Sequence, residues 1–90
     1  MLYMIIERFR GGDARPVYRR LRDQGRLAPE GLRYVESWVA EDLESCFQIM
    51  ECDDRNLLTQ WMSSWDDLVE FRVIPVTSSA EALSAITPRL

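Results

Sequence analysis

Four stretches of the chain, 2–9, 32–39, 44–52 and 69–77, are rich in β-branched, aromatic and other large apolar residues, and they read as strands. The first, Leu2 to Phe9, stops at Gly11-Gly12, where the backbone turns freely. Asp13 then offers a helix N-cap and Pro16 is tolerated in a first turn. Ala14, Val17, Tyr18 and Leu21 recur at helical spacing until Gly25. Pro29 to Gly31 makes the next break, before alternating residues from Leu32 to Val39. A short acidic loop, Ala40 to Leu43, leads into Glu44 to Cys52, as in a hairpin.

Asp53 or Asp54 caps a second predicted helix over 54–66. In it Leu57, Leu58, Trp61, Met62 and Trp65 fall within roughly 140° of arc at 100° per residue. Pro75 in the last strand marks an edge position or a local irregularity. Ser78 with Glu81 forms a capping-box pattern for a short final helix carrying Ala82, Leu83 and Ile86, closed by Pro88. The order is βαββαβ with a C-terminal helix: an α+β, ferredoxin-like arrangement spanning 1–90 as one domain, with both main helices on one face of an antiparallel sheet.

Alternation assigns Met4, Ile6, Val35, Val39, Phe47, Ile49, Phe71 and Val73 to the helix side, on the ground that this set is uniformly apolar. The other face is then expected to show Tyr3, Ile5, Glu7, Tyr34, Glu36, Trp38, Cys46, Gln48, Met50, Glu70, Arg72, Ile74 and Val76. A face so rich in large side chains is a solubility hazard if left open, which predicts that a second copy of the chain covers it.

Composition narrows the chemistry. All 11 basic residues are arginine, and there is neither lysine nor histidine. No imidazole base, Ser-His or Cys-His relay, or histidine-ligated metal is therefore available, nor any Schiff-base lysine or P-loop. The expectation is no metal and no cofactor, leaving carboxylates, tyrosines, two thiols, hydroxyls and arginines. Cys46 and Cys52 lie on one extended segment, about 20 Å apart at the usual rise, so they are expected to be free thiols. Leu2 to Ile6 is too short for a signal-peptide core or a membrane span. The expected location is the cytoplasm, without membrane association.

The chain resembles a bacterial family of short proteins, a domain of unknown function within the dimeric α+β barrel group. The resemblance rests on Met1-Leu2-Tyr3-Met4, Glu7-Arg8-Phe9, Pro16-Val17-Tyr18-Arg19-Arg20, Gln24-Gly25-Arg26 and Pro29-Glu30-Gly31-Leu32. It continues through Ser37-Trp38, Cys46 to Glu51, Trp61 with Trp65, and Phe71 to Val76. It implies two ferredoxin-like protomers pairing sheet to sheet around a shared interior. The wider group includes cofactor-free monooxygenases and isomerases, so the resemblance implies a ligand cavity without choosing a reaction.

The candidate site is a pocket between the two sheets lined by Tyr34, Trp38, Met50 and Ile74, with Glu7, Glu36, Gln48 and Arg72 as polar groups. Glu7 and Glu36 are the candidate acids or bases of a small-molecule-binding homodimer or a cofactor-independent monooxygenase or isomerase. Against this stand an ion pair between Glu7 and Arg72 on neighbouring strands, and a structural or interaction module with a filled interior. Arg15, Arg19, Arg22 and Arg26 form a stripe expected to be a solvated helix face. A net charge of −4 argues against nucleic acid as a partner. So does Ser45 to Glu51, which lacks the basic-glycine-aromatic signature that an RNA-recognition strand needs.

Overall fold

Strands β1 (Leu2–Phe9), β2 (Arg33–Val39), β3 (Ser45–Glu51) and β4 (Val69–Val76) form one antiparallel sheet in the order β2-β3-β1-β4. This is a computed structural model describing residues 1–90. Helix α1 (Arg15–Gln24) joins β1 to β2, α2 (Asn56–Ser63) joins β3 to β4, and α3 (Ser79–Ile86) follows the last strand. The topology is that of a ferredoxin-like fold.

The start and stop signals act close to where the sequence puts them. Asp13 Oδ1 accepts a hydrogen bond from the Arg15 amide at 3.0 Å, and Asp54 Oδ1 accepts one from the Asn56 amide at 2.9 Å. Each carboxylate satisfies an amide that the first helical turn cannot. Ser78 Oγ accepts from the Glu81 amide at 3.1 Å, so the predicted cap forms. Helix α2 is shorter than its periodicity suggests: it ends at Ser63, and Trp65 sits in the following turn. Pro75 lies on β4, an edge strand, where its missing N–H breaks no second ladder.

Gly31, in the turn before β2, has φ +92°, a conformation L side chains rarely adopt, and a Cβ there would stand 3.0 Å from Leu57 Cδ1. Gly31→Ala should therefore lower stability by about 1–2 kcal/mol, read as a drop in the urea midpoint with an unchanged slope.

The core sits between the sheet and α1 and α2. It comprises Tyr3, Ile5 and Phe9 of β1, Met50 of β3, Val69, and Val17, Leu58, Trp61 and Trp65 from the helical layer, with Leu32 and Cys52 at the ends. The odd positions of β1 thus face the helices. This reverses the expected assignment for β1 and β3. Met4, Ile6, Phe47 and Ile49 lie on the open face, and Tyr3, Ile5, Glu7, Cys46, Gln48 and Met50 lie inside, whereas β4 follows expectation.

Pairing explains the reversal. Directly opposite residues share a face, and β1 pairs Ile5 with Val73 and Glu7 with Phe71, so the two inward residues of β4 carry Ile5 and Glu7 inward with them. The inward phase buries Tyr3, Ile5 and Phe9 together, at the expense of taking Glu7 in as well. In β2, a register shift between Tyr34 and Glu36 leaves Val35 unpaired. Tyr34 therefore points inward opposite Met50, while Glu36 and Trp38 point outward.

The open face consequently carries Met4, Ile6, Trp38, Phe47, Ile49, Ile74 and Val76, with Arg8, Glu36, Glu70 and Arg72 among them. It is more apolar than expected: Trp38 is 57 % exposed and Phe47 is exposed too. No helix of the chain is long and apolar enough to cross a membrane.

Candidate functional site

A cavity of about 160 Å³ lies on the helix side of the sheet. Its sheet wall is Glu7 and Phe9 from β1, Ser37 and Val39 from β2, and Cys46 and Gln48 from β3. Val17, Tyr18 and Leu21 of α1 form a second wall, and Arg26, Trp61 and Trp65 complete it. Tyr18 is exposed and Arg26 half-buried, so these two stand on the solvent side.

Each wall has a local cause. Val17 and Leu21 are one helical turn apart on α1, and that helix is clamped onto the turn after α2 by Arg20. The Arg20 guanidinium holds Asp67 through two hydrogen bonds at 2.7 and 2.8 Å and donates to the Ser64 carbonyl at 2.9 Å. Arg26 does not continue the arginine stripe of α1, because the helix ends before it. Its guanidinium lies 3.6 Å from the centre of the Tyr34 ring. Its carbonyl accepts from both indoles, Trp61 Nε1 at 3.0 Å and Trp65 Nε1 at 2.9 Å. The next residue, Leu27, has φ +61°, which costs a non-glycine residue about 1–2 kcal/mol. The two indole bonds help hold this strained loop over the cavity. Elsewhere in the stripe Arg15 pairs with Asp13 and Arg22 with Asp23, as a solvated face would.

At the floor, Glu7 and Gln48 are 6 % and 3 % exposed. Gln48 Nε2 donates to Glu7 Oε2, and Gln48 Oε1 has no partner at all. Turning the amide over would only exchange which of its two atoms is orphaned, since just one can reach the carboxyl. Burial pushes the Glu7 carboxyl above its ordinary value, and the hydrogen bonds from Gln48 and Cys46 and the charge of Arg26 offset that only in part. Burial, then the Glu7 charge, pushes the Cys46 thiol up to about 12, so it stays a thiol at neutral pH. Burial likewise raises the Tyr18 hydroxyl, with Cys46 and Glu7 adding to the shift.

The expected site residues are thus divided between two faces. Glu7 and Gln48 line the helix-side cavity. Met50 is wholly buried beside it, and Tyr34 braces it through Arg26 and through a 2.6 Å hydrogen bond between its hydroxyl and Ser37 Oγ. Glu36, Trp38, Arg72 and Ile74 lie on the opposite face and reach none of this. The Glu7–Arg72 ion pair cannot form, because Arg72 stands opposite Ile6 and points the other way.

Phe9, Val17, Tyr18, Leu21, Arg26 and Cys46 are cavity residues that sequence reasoning did not select. One signal was available: Phe9 and Glu7 share a phase, so placing Phe9 inside would have brought Glu7 inside too.

A family model described as a domain of unknown function (DUF3303) matches residues 1–90. The chain belongs to this family. No curated protein and no solved structure matches it.

The chemistry open to this DUF3303 chain follows from the cavity's contents. No group of three or more His, Cys, Asp or Glu side chains is placed to hold a metal ion. The two cysteines are free, and neither has a lowered pKa that would make it a nucleophile at neutral pH. What remains is a partly open, mainly apolar chamber with one carboxyl, one unsatisfied amide and one guanidinium.

Proposed function

We propose that the protein binds a small, mainly apolar molecule in the helix-side cavity of each protomer, with a hydrogen-bonding group of the ligand seated at Gln48 and Glu7. The observation that carries this reading is the unpartnered Gln48 Oε1, buried in the lining of a 160 Å³ cavity. A buried polar group without a partner costs about 1–3 kcal/mol, which a ligand hydroxyl or amide N–H restores. A cavity of about 150 Å³ accepts benzene, so the ligand is one ring or its equivalent in branched carbon.

The test titrates phenol, benzamide and benzene into the isotopically labelled protein and follows the indole N–H signals of Trp61 and Trp65. Phenol and benzamide should saturate both signals, and Gln48→Leu should erase their advantage over benzene. Unmoved indole signals at 10 mM of every probe, or an unchanged preference in the variant, would overturn the reading.

A second reading, an isomerase-type proton transfer, is favoured by Glu7, whose raised carboxyl lines the same chamber and could exchange a proton with a bound ligand. We also propose that the protein is a homodimer joined through the open sheet face, supported by the exposure of Trp38 and Phe47 there. The two free thiols fit a reducing, cytoplasmic setting.

A further inference from the structure

The chain after β4 is amphipathic, yet it touches almost nothing. Every residue from Thr77 to Leu90 is exposed, including Leu83 at 63 %, Ile86 and Leu90. Leu83 and Ile86 are three apart on α3 and share one side of it, so the helix presents an apolar stripe to no surface of its own protomer. The molecule is correspondingly elongated. Its radius of gyration is 14.9 Å, against about 12 Å for a compact chain of this length. Its longest dimension is 48 Å, whereas a strand of eight residues spans only about 26 Å. An isolated helix of eight residues is marginal in water, because nucleation is unfavourable and few hydrogen bonds repay it. Helix α3 thus needs a surface, and the apolar sheet face needs a cover.

We infer that the arm 77–90 of one protomer packs on its partner, beside the partner's open sheet face, in a symmetric exchange of arms. The occupant of the stripe is a second copy of this chain, and the inference rests on the sheet-face dimer proposed above. Area supports that choice. Four strands about 4.8 Å apart and seven to eight residues long give a face of about 19 by 24 Å, a footprint of about 450 Å². Two twisted sheets of that size, packed face to face, fall short of the about 800 Å² per partner that a stable dimer buries. Two exchanged arms, each bringing Leu83, Ile86 and Leu90, supply the remainder. In a two-fold dimer every apolar group on an arm has its counterpart on the other protomer, so the assembly closes at two chains.

Sedimentation equilibrium of the full chain, a chain ending at Thr77 and the double variant L83E/I86E tests this. A mixed sample of isotope-labelled and unlabelled full chains, read by isotope-filtered NOE spectroscopy, provides the second measurement. The full chain should be dimeric at micromolar concentration. Shortening or charging the arm should raise the dissociation constant at least about 100-fold, with amide dispersion of the body retained. The Leu83 and Ile86 methyls should give NOEs between chains.

A full chain that stays monomeric at 100 μM would overturn both the dimer and the arm exchange. A dimer whose dissociation constant changes less than threefold in both altered chains would overturn the exchange alone. So would NOEs from Leu83 and Ile86 confined to their own chain.

Discussion

Trp61→Ala should remove about 3–5 kcal/mol of folding stability, the usual cost of deleting a buried indole. A domain of this size holds only about 5–13 kcal/mol in total, so the loss is a large share of it. At about 4–8 °C per kcal/mol, the melting temperature should fall by roughly 15 °C or more. Three contacts go together in this variant. The ring packs at 5.6 Å from Phe71, it closes one end of the cavity, and its N–H is one of two donors on the Arg26 carbonyl.

Trp61→Phe separates these roles. It keeps most of the apolar volume, and Trp65 Nε1 still satisfies the Arg26 carbonyl. Its cost should stay near 1–2 kcal/mol. The loop carrying the strained Leu27 should nonetheless loosen, seen as faster amide exchange across 25–31 than in the wild type. Equal melting temperatures for the alanine variant and the wild type would contradict this account of the core.

Glu7 should make the protein less stable as pH rises. Its folded pKa lies above the unfolded value of 4.5, because burial penalises the charged form more than Gln48, Cys46 and Arg26 favour it. Below pH 4.5 the carboxyl is protonated in both states, and it imposes no charge-burial penalty. As pH climbs from 4.5 through the raised folded value, the unfolded chain releases its proton first. The native state then loses about 1.4 kcal/mol per pH unit until Glu7 ionises in place. Glu7→Gln cannot ionise, so the stability difference between variant and wild type should grow in the variant's favour over that interval and then level off. Urea titrations of both proteins between pH 4 and 9 measure it. A difference independent of pH would show that Glu7 is not held in a desolvated site.

Glu7→Ala differs again. It strands the Gln48 amide in an enlarged cavity and cannot ionise either, so it should be less stable than Glu7→Gln by about 1–3 kcal/mol at every pH. The pair of variants therefore tells the cost of the charge from the cost of an unsatisfied partner.

Much of the architecture is legible in the residues themselves. All four strands lie within a residue of their expected bounds at either end. The signals are local and independent of packing: Gly11-Gly12 and Pro29 to Gly31 break the chain, Asp13, Asp54 and Ser78 offer side-chain oxygens to the first amides of helices, and Pro75 excludes β4 from the middle of the sheet. The exclusions by composition are equally local, since a chain without histidine or lysine lacks their chemistry however it folds.

The site was less legible, and β1 shows why. Its two phases, Tyr3-Ile5-Glu7-Phe9 and Leu2-Met4-Ile6-Arg8, each hold three apolar residues and one charge, so alternation alone ranks them almost equally. Choosing the Met4-Ile6 phase as the inner one put Glu7 on the open face with the expected inter-sheet pocket, whereas Glu7 lines the helix-side cavity. Tyr34 was misplaced for a different reason, while Trp38 lies on the open face as expected. They share a phase in sequence, but the irregularity at Val35 turns them to opposite faces.

Local sequence was enough for the order of elements, the strand ends to within a residue, the free thiols and the limited chemical repertoire, because each depends on residues a few positions apart. Only the tertiary structure decided which face of the sheet is inside, and with it the cavity, the partnership of Glu7 with Gln48, and the exposure of Trp38, Phe47 and α3. Those depend on register between strands and on burying Phe9 against a helix layer, contacts between residues far apart in the chain whose energies no single strand contains.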